Sequence, residues 1–91
     1  MNLVWQIEFS TTAKKQLKNL DKPVAKKILK WLNERLLLGV NPRLWGKQLT
    51  GNDFGDMWRY RVGDYRILCV IKDRIVTIEV ISLGHRKEIY K

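Results

Sequence analysis

A glycine followed by an aspartate, Gly63-Asp64, separates two runs rich in Val, Ile, Trp and Tyr, residues 57–62 and 65–72. A glycine-first pair between such runs reads as a two-residue hairpin turn of type II′, because glycine accepts the positive φ that this turn requires. The loop length then sets the register. Val62 is expected opposite Tyr65, Arg61 opposite Arg66, Tyr60 opposite Ile67 and Arg59 opposite Leu68. One face of the hairpin carries Trp58, Tyr60, Val62, Tyr65, Ile67 and Cys69, and the other carries Arg59, Arg61 and Arg66 beside Leu68.

The elements around this hairpin follow from periodicity. Residues 3–9 alternate, with Leu3, Trp5, Ile7 and Phe9 to one side, which is the pattern of a half-buried strand. Ser10 offers a helix N-cap, and Ala13, Leu17 and Leu20 follow at helical spacing. Asp21 and Pro23 open a second helix, with the carboxylate expected to cap it. Val24, Ile28, Trp31, Leu32 and Leu36 form its apolar stripe, while Lys22, Lys26, Lys27 and Lys30 lie largely off it. Gly39 and Pro42 end that helix, and residues 40–55 read as a loop. A last strand is expected over 75–82, after an Asp73-Arg74 turn. The fold class is therefore α+β: an N-terminal strand, a two-helix hairpin, then a three- to four-stranded antiparallel sheet with both helices on one face.

Residues 1–91 are read as a single domain, since 91 residues fill one unit of ordinary size. Eighteen Lys and Arg against nine Asp and Glu give a net charge of +9, so the chain attracts polyanions. Nucleic acid, an acidic protein and an anionic membrane surface are the candidate partners. The membrane is remote, because the lysines of the second helix flank a stripe that the sheet needs. The single cysteine, Cys69, allows no disulfide within the chain, and no run approaches the ~20 apolar residues that span a bilayer. Both observations lead us to expect a cytoplasmic protein. One His and one Cys in different segments give no metal-ligand set, and no cofactor is expected.

Three guanidinium groups on one hairpin face repel each other, and an anion between them relieves the repulsion. The alternative is a solvated sheet face on which the arginines pair with Asp56 or Glu79. If Asp73-Arg74 is a two-residue turn, Ile81 lies opposite Arg66, and the segment Gly84-His85-Arg86 passes the hairpin arginines. His85 would bring a proton-exchanging group to the edge of a cationic patch, and Tyr90 a second hydroxyl. Metal-free RNA cleavage needs parts of this kind: a base for the 2′-hydroxyl, cations for the pentavalent phosphorane and an acid for the 5′-oxygen. A histidine near a chain end is also commonly a plain surface residue.

The block Trp58-Arg59-Tyr60-Arg61-Val62-Gly63-Asp64-Tyr65-Arg66, joined to a closing Gly84-His85-Arg86-Lys87-Glu88-Ile89-Tyr90, resembles the RelE family of toxins from type II toxin–antitoxin systems. The resemblance spans nearly the whole chain. It implies a RelE-like fold and a metal-independent endoribonuclease, an mRNA interferase that cuts messenger in the ribosomal A site. The implied products are a 2′,3′-cyclic phosphate and a 5′-hydroxyl. By the same resemblance Arg59, Arg61 and Arg66 stabilise the scissile phosphate, Arg86 is the acid, and Tyr90 orients the nucleophile. Arg59 and Arg61 stand where some members have lysine, and arginine is a poor general base, so His85 could serve as base or acid. A cognate antitoxin is the implied protein partner, in a hetero-oligomeric complex. Two other functions share these features. One is a ParE-like DNA gyrase inhibitor without nuclease activity, the other a non-catalytic RNA-binding module. Trp5, Trp31 and Trp45 are assigned to the core in preference to the antitoxin interface.

Overall fold

A computed structural model describes residues 4–37, 41–49 and 57–89 of the chain. Strand β1 (Gln6–Phe9) leads into helix α1 (Thr11–Asn19) and helix α2 (Lys22–Leu32). A π-turn, Asn33–Leu37, extends α2, and a 3-10 turn, Pro42–Trp45, precedes β2 (Gly46–Gln48). Strands β3 (Met57–Val62), β4 (Tyr65–Lys72) and β5 (Thr77–His85) complete a five-stranded sheet in the order β1-β5-β4-β3-β2.

The helix boundaries have local causes. Ser10 Oγ accepts the Ala13 N–H at 3.0 Å and so caps α1. The same hydroxyl donates to the Ile81 carbonyl at 2.6 Å, tying the helix start to β5. At α2 the expected carboxylate cap is not formed: Asp21 makes no side-chain cap bond, and its main-chain carbonyl accepts the Ala25 N–H at 2.9 Å. Pro23, in the first turn, needs no hydrogen-bond acceptor for its nitrogen, so the helix starts without a side-chain cap.

Both helices pack on one face of the sheet. The core joins Ala13, Ile28, Leu32 and Leu36 to Tyr60, Val62, Ile67, Cys69, Ile78, Val80 and Leu83. Each fully buried Val, Ile or Leu side chain of this set contributes about 1.5–3 kcal/mol through removal from water. Trp5 is buried and Trp31 packs against the core, its ring 5.4 Å from that of Tyr60. Trp45 departs from expectation: it is 47% exposed and lies under the Arg35 guanidinium at 5.0 Å. The four lysines off the α2 stripe are exposed.

The sheet departs from the expected antiparallel arrangement in two respects. β1 pairs parallel with β5, from Gln6 opposite Thr77 to Phe9 opposite Val80, so the sheet is mixed. Alternation in a sequence tells which side chains share a face, and it carries no information about a neighbour some seventy residues away. The second departure is β2, which lies in a stretch read as loop. It pairs antiparallel with β3, with Gly46 opposite Tyr60 and Lys47 opposite Arg59. Three residues bounded by glycine are too few to show a period.

The β4–β5 turn is longer than two residues. A 3-10 turn, Asp73–Ile75, is followed by Val76 in the left-handed region, at φ 49° and ψ 47°. That conformation costs a side-chain-bearing residue about 1–2 kcal/mol. Two main-chain bonds hold it: the Val76 N–H donates to Asp73, and its carbonyl accepts the Gln6 N–H that opens β1.

Candidate active site

The hairpin register is the expected one, residue for residue, from Val62–Tyr65 through Arg59–Leu68. Gly63 has φ 60° and Asp64 does not have a positive φ, as a type II′ turn requires. Arg59, Arg61 and Arg66 therefore share the face opposite the helices. Arg61 and Arg66 are direct cross-strand partners. Arg66 is held toward the turn, its Nη1 donating to the Gly63 and Tyr65 carbonyls at 2.9 and 3.0 Å.

The closing segment sits three residues out of the expected register. Gly84, rather than Ile81, lies opposite Arg66. Two residues of the offset come from the longer turn, and the third from a bulge opposite Leu68–Cys69, where Ile81 is the extra residue. The bulged Ile81 carbonyl is the one that the Ser10 hydroxyl satisfies.

This shift decides the position of His85. It pairs with Tyr65, on the helix side of the sheet, with the two rings edge to face at 5.5 Å. The arginines are on the other side, where the strand presents Gly84. His85 Nδ1 accepts the Lys87 N–H at 3.1 Å, so the proton of the neutral ring sits on Nε2. In this arrangement His85 shapes the chain after β5, and it is not brought together with Arg59, Arg61 and Arg66. Arg86 continues the ladder by one step: its N–H donates to the Asp64 carbonyl at 2.8 Å, and its Nε lies 3.8 Å from the Asp64 carboxylate. The hairpin tip thus gathers Arg61, Arg66 and Arg86. Tyr90 lies outside the described residues.

Lys47 is a cation that the sequence reading did not include. It is exposed, and β2 places it opposite Arg59 on the arginine face. Gly46 fixes that placement, since a Cβ there would come within 2.8 Å of the Tyr60 ring and 2.9 Å of the Arg59 carbonyl. Tyr60 is itself anchored, its buried hydroxyl donating to the Pro42 carbonyl at 2.8 Å. Burial also pushes the Tyr60 phenol and the Cys69 thiol well above their ordinary ranges, so both stay neutral.

Apart from Asp64, which pairs with Arg86 at the turn, the carboxylates nearby are engaged elsewhere. Glu8 and Glu79 are paired across β1 and β5, and Glu79 reaches Lys72 at 3.5 Å. Asp73 forms a two-pronged bond with Arg43 at 2.9 and 2.7 Å, which holds its carboxyl below the usual range. Of the two expected partners of the arginines, Glu79 is taken by Lys72 and Asp56 lies outside the described residues. Lys47, Arg59 and Arg61 meet no carboxylate among the described residues. Arg59 Nε is shielded from solvent and has no hydrogen-bond partner among them. Among the described residues these three cations lack a counter-ion, and one carries a buried unfilled donor, an arrangement suited to an anion.

The description "ParE toxin of type II toxin-antitoxin system, parDE" belongs to the family whose model matches residues 7–90. No curated protein matches the chain. Among solved structures, the toxin–antitoxin complex RelBE2 from Mycobacterium tuberculosis is similar at 26% identity and a TM-score of 0.82, over 92% of this chain and 100% of that one. The isolated RelE toxin of E. coli is similar at 28% identity and a TM-score of 0.72, over 94% of this chain and 90% of that one. The archaeal RelE–RelB complex from Pyrococcus horikoshii shares the fold, at 22% identity and a TM-score of 0.73, over 94% and 99% of the two chains. With the family model matched over nearly its whole length, the chain belongs to the ParE toxin family of type II toxin–antitoxin systems, within the RelE/ParE superfamily.

Proposed function

We propose that this toxin is a metal-independent endoribonuclease that cuts messenger RNA in the ribosomal A site and so stops translation. The observation that carries the proposal is the direct opposition of Arg61 and Arg66, with Arg59 and Lys47 on the same face and Arg86 beside the turn. In the reaction the 2′-hydroxyl loses its proton and attacks the adjacent phosphorus. The bond from phosphorus to the 5′-oxygen breaks, leaving a 2′,3′-cyclic phosphate and, once protonated, a 5′-hydroxyl. Charge builds on the equatorial oxygens of the phosphorane, and preorganised cations stabilise that charge more than they stabilise the ground state. Arg61 and Arg66 take this role, with Arg59 beside them. Arg86 serves the departing 5′-oxygen, and Tyr90, by resemblance, orients the nucleophile.

The protein is proposed to act in the cytoplasm as a single domain, and to be held inactive by an antitoxin. The structures of similar toxins solved as toxin–antitoxin complexes support that partner. No helix among the described residues is long and apolar enough to cross a membrane. Expression of Arg61→Ala and Arg86→Ala in growing cells tests the site. Both should leave growth and messenger intact while the folded protein accumulates, and wild-type arrest by both would rule these residues out.

A second reading has an observation in its favour: the matching family model is described by the parDE toxin. A ParE-like protein would block DNA gyrase and cut nothing. Gyrase supercoiling with the purified protein separates the two, since a nuclease leaves that reaction untouched.

A further inference from the structure

The cations on the face opposite the helices are not a ring. Arg66 on β4 opposes Arg61 on β3, and Arg59, two residues along β3, opposes Lys47 on β2. Neighbours in this series are one strand spacing (~5 Å) or two residues along a strand (~7 Å) apart. The series crosses three strands and ends on β2, the last strand of the sheet. Toward the other edge the same face presents Ser82 and Gly84, and then the carboxylates Glu79 and Glu8. Glu79 there is balanced by Lys72, whereas Arg59 and Lys47 meet no carboxylate among the described residues, so the uncompensated positive charge leads an anionic chain toward β2.

We infer that Lys47 is an RNA-positioning residue, and that the substrate strand leaves the Arg61–Arg66 pair across the sheet toward β2, with Lys47 holding a backbone phosphate beyond the cut. The inference rests on the nuclease reading and adds the path of the strand to it. Lys47 is exposed and meets no carboxylate among the described residues. Its placement is rigid at the backbone, because Gly46 packs on Tyr60 and Tyr60 bonds Pro42. A lysine at this place acts as a point charge on phosphate, and arginine can replace it in that role.

The test is the salt dependence of binding to a short single-stranded oligoribonucleotide, followed by fluorescence anisotropy on the whole chain. Each phosphate contact to a single strand contributes about 0.7 to the slope of log K against log salt. Lys47→Ala should lower the slope by about that amount and Lys47→Arg should keep it. Lys26→Ala, on the exposed side of α2, should also keep it. In cleavage, Lys47→Ala should raise KM several-fold with little change in kcat. A slope for Lys47→Ala equal to that of Lys26→Ala overturns the strand path, even if the wild type cuts messenger. A Lys47-dependent slope in a protein that never cuts supports the path and removes the nuclease reading.

Discussion

Arg61 and Arg66 face each other across the hairpin in a non-hydrogen-bonded pair, one step from the turn. Pairs of that kind bring the Cα atoms to about 4.5 Å, so two like-charged side chains leave the backbone side by side. Directly opposed like charges destabilise by about 0.2–1 kcal/mol. The free protein therefore carries a cost that a bound anion would reduce. Arg61→Thr should unfold at a temperature several degrees higher than the wild type, since 1 kcal/mol moves a domain of this size by about 4–8 °C. The same variant should cut RNA at least 100-fold more slowly, consistent with loss of about 3 kcal/mol of charge stabilisation. A variant that is less stable in calorimetry would show that the arginine pair belongs to the scaffold.

Ser10 holds two things together: it caps α1 and satisfies the carbonyl of the bulged Ile81. Ser10→Ala should cost about 1–2 kcal/mol in urea unfolding, the range of a lost cap. It should also loosen the end of β5, so amide exchange at Ser82 to Arg86 should speed up more than at β3. Uniform exchange across the sheet would separate the cap from the bulge.

Tyr60 and Cys69 make stability fall on the alkaline side. Burial raises the folded-state value of each above its unfolded one, so the folded form holds its proton more tightly. That contribution is complete below the ordinary thiol value of 9.0 and phenol value of 10.0, and is lost progressively as pH rises beyond them. Denaturation midpoints should accordingly be level between pH 7 and about 8.5 and decline above about pH 9. A Tyr60→Phe, Cys69→Ala variant should lose the decline, while its midpoint at pH 7 drops for want of the Pro42 bond and the thiol packing. An equal decline in that variant would assign the alkaline loss to lysines.

His85 stands on the wrong side of the sheet for proton transfer at the arginines, with its Nδ1 engaged by Lys87. His85→Asn can keep an acceptor for the Lys87 N–H. It should retain cleavage within a few-fold and leave the pH profile of kcat/KM unchanged. Disappearance of one limb of that profile would return His85 to the chemistry.

The hairpin and its arginine face were legible in the sequence because a two-residue turn leaves no freedom in register. Ser10 was legible as a cap because the bond it makes is three residues long. What escaped was non-local. The parallel neighbour of β1, the bulge at Ile81 and the short strand bearing Lys47 depend on contacts that no period in the chain encodes. The bulge alone reverses the face on which residues beyond it fall, and together with the longer turn it set Gly84, not Ile81, beside Arg66. Lys47 had one local signal, the glycine before it, whose meaning rests on the Tyr60 ring opposite.

Primer extension on messenger translated in a purified system, with and without the protein, is the decisive assay for ribosome-dependent cleavage. Cuts are expected at defined positions within codons, dependent on ribosomes, unaffected by a strong chelator and absent with Arg61→Ala. Intact messenger under the same conditions, with gyrase supercoiling blocked by the same preparation, would contradict the nuclease reading.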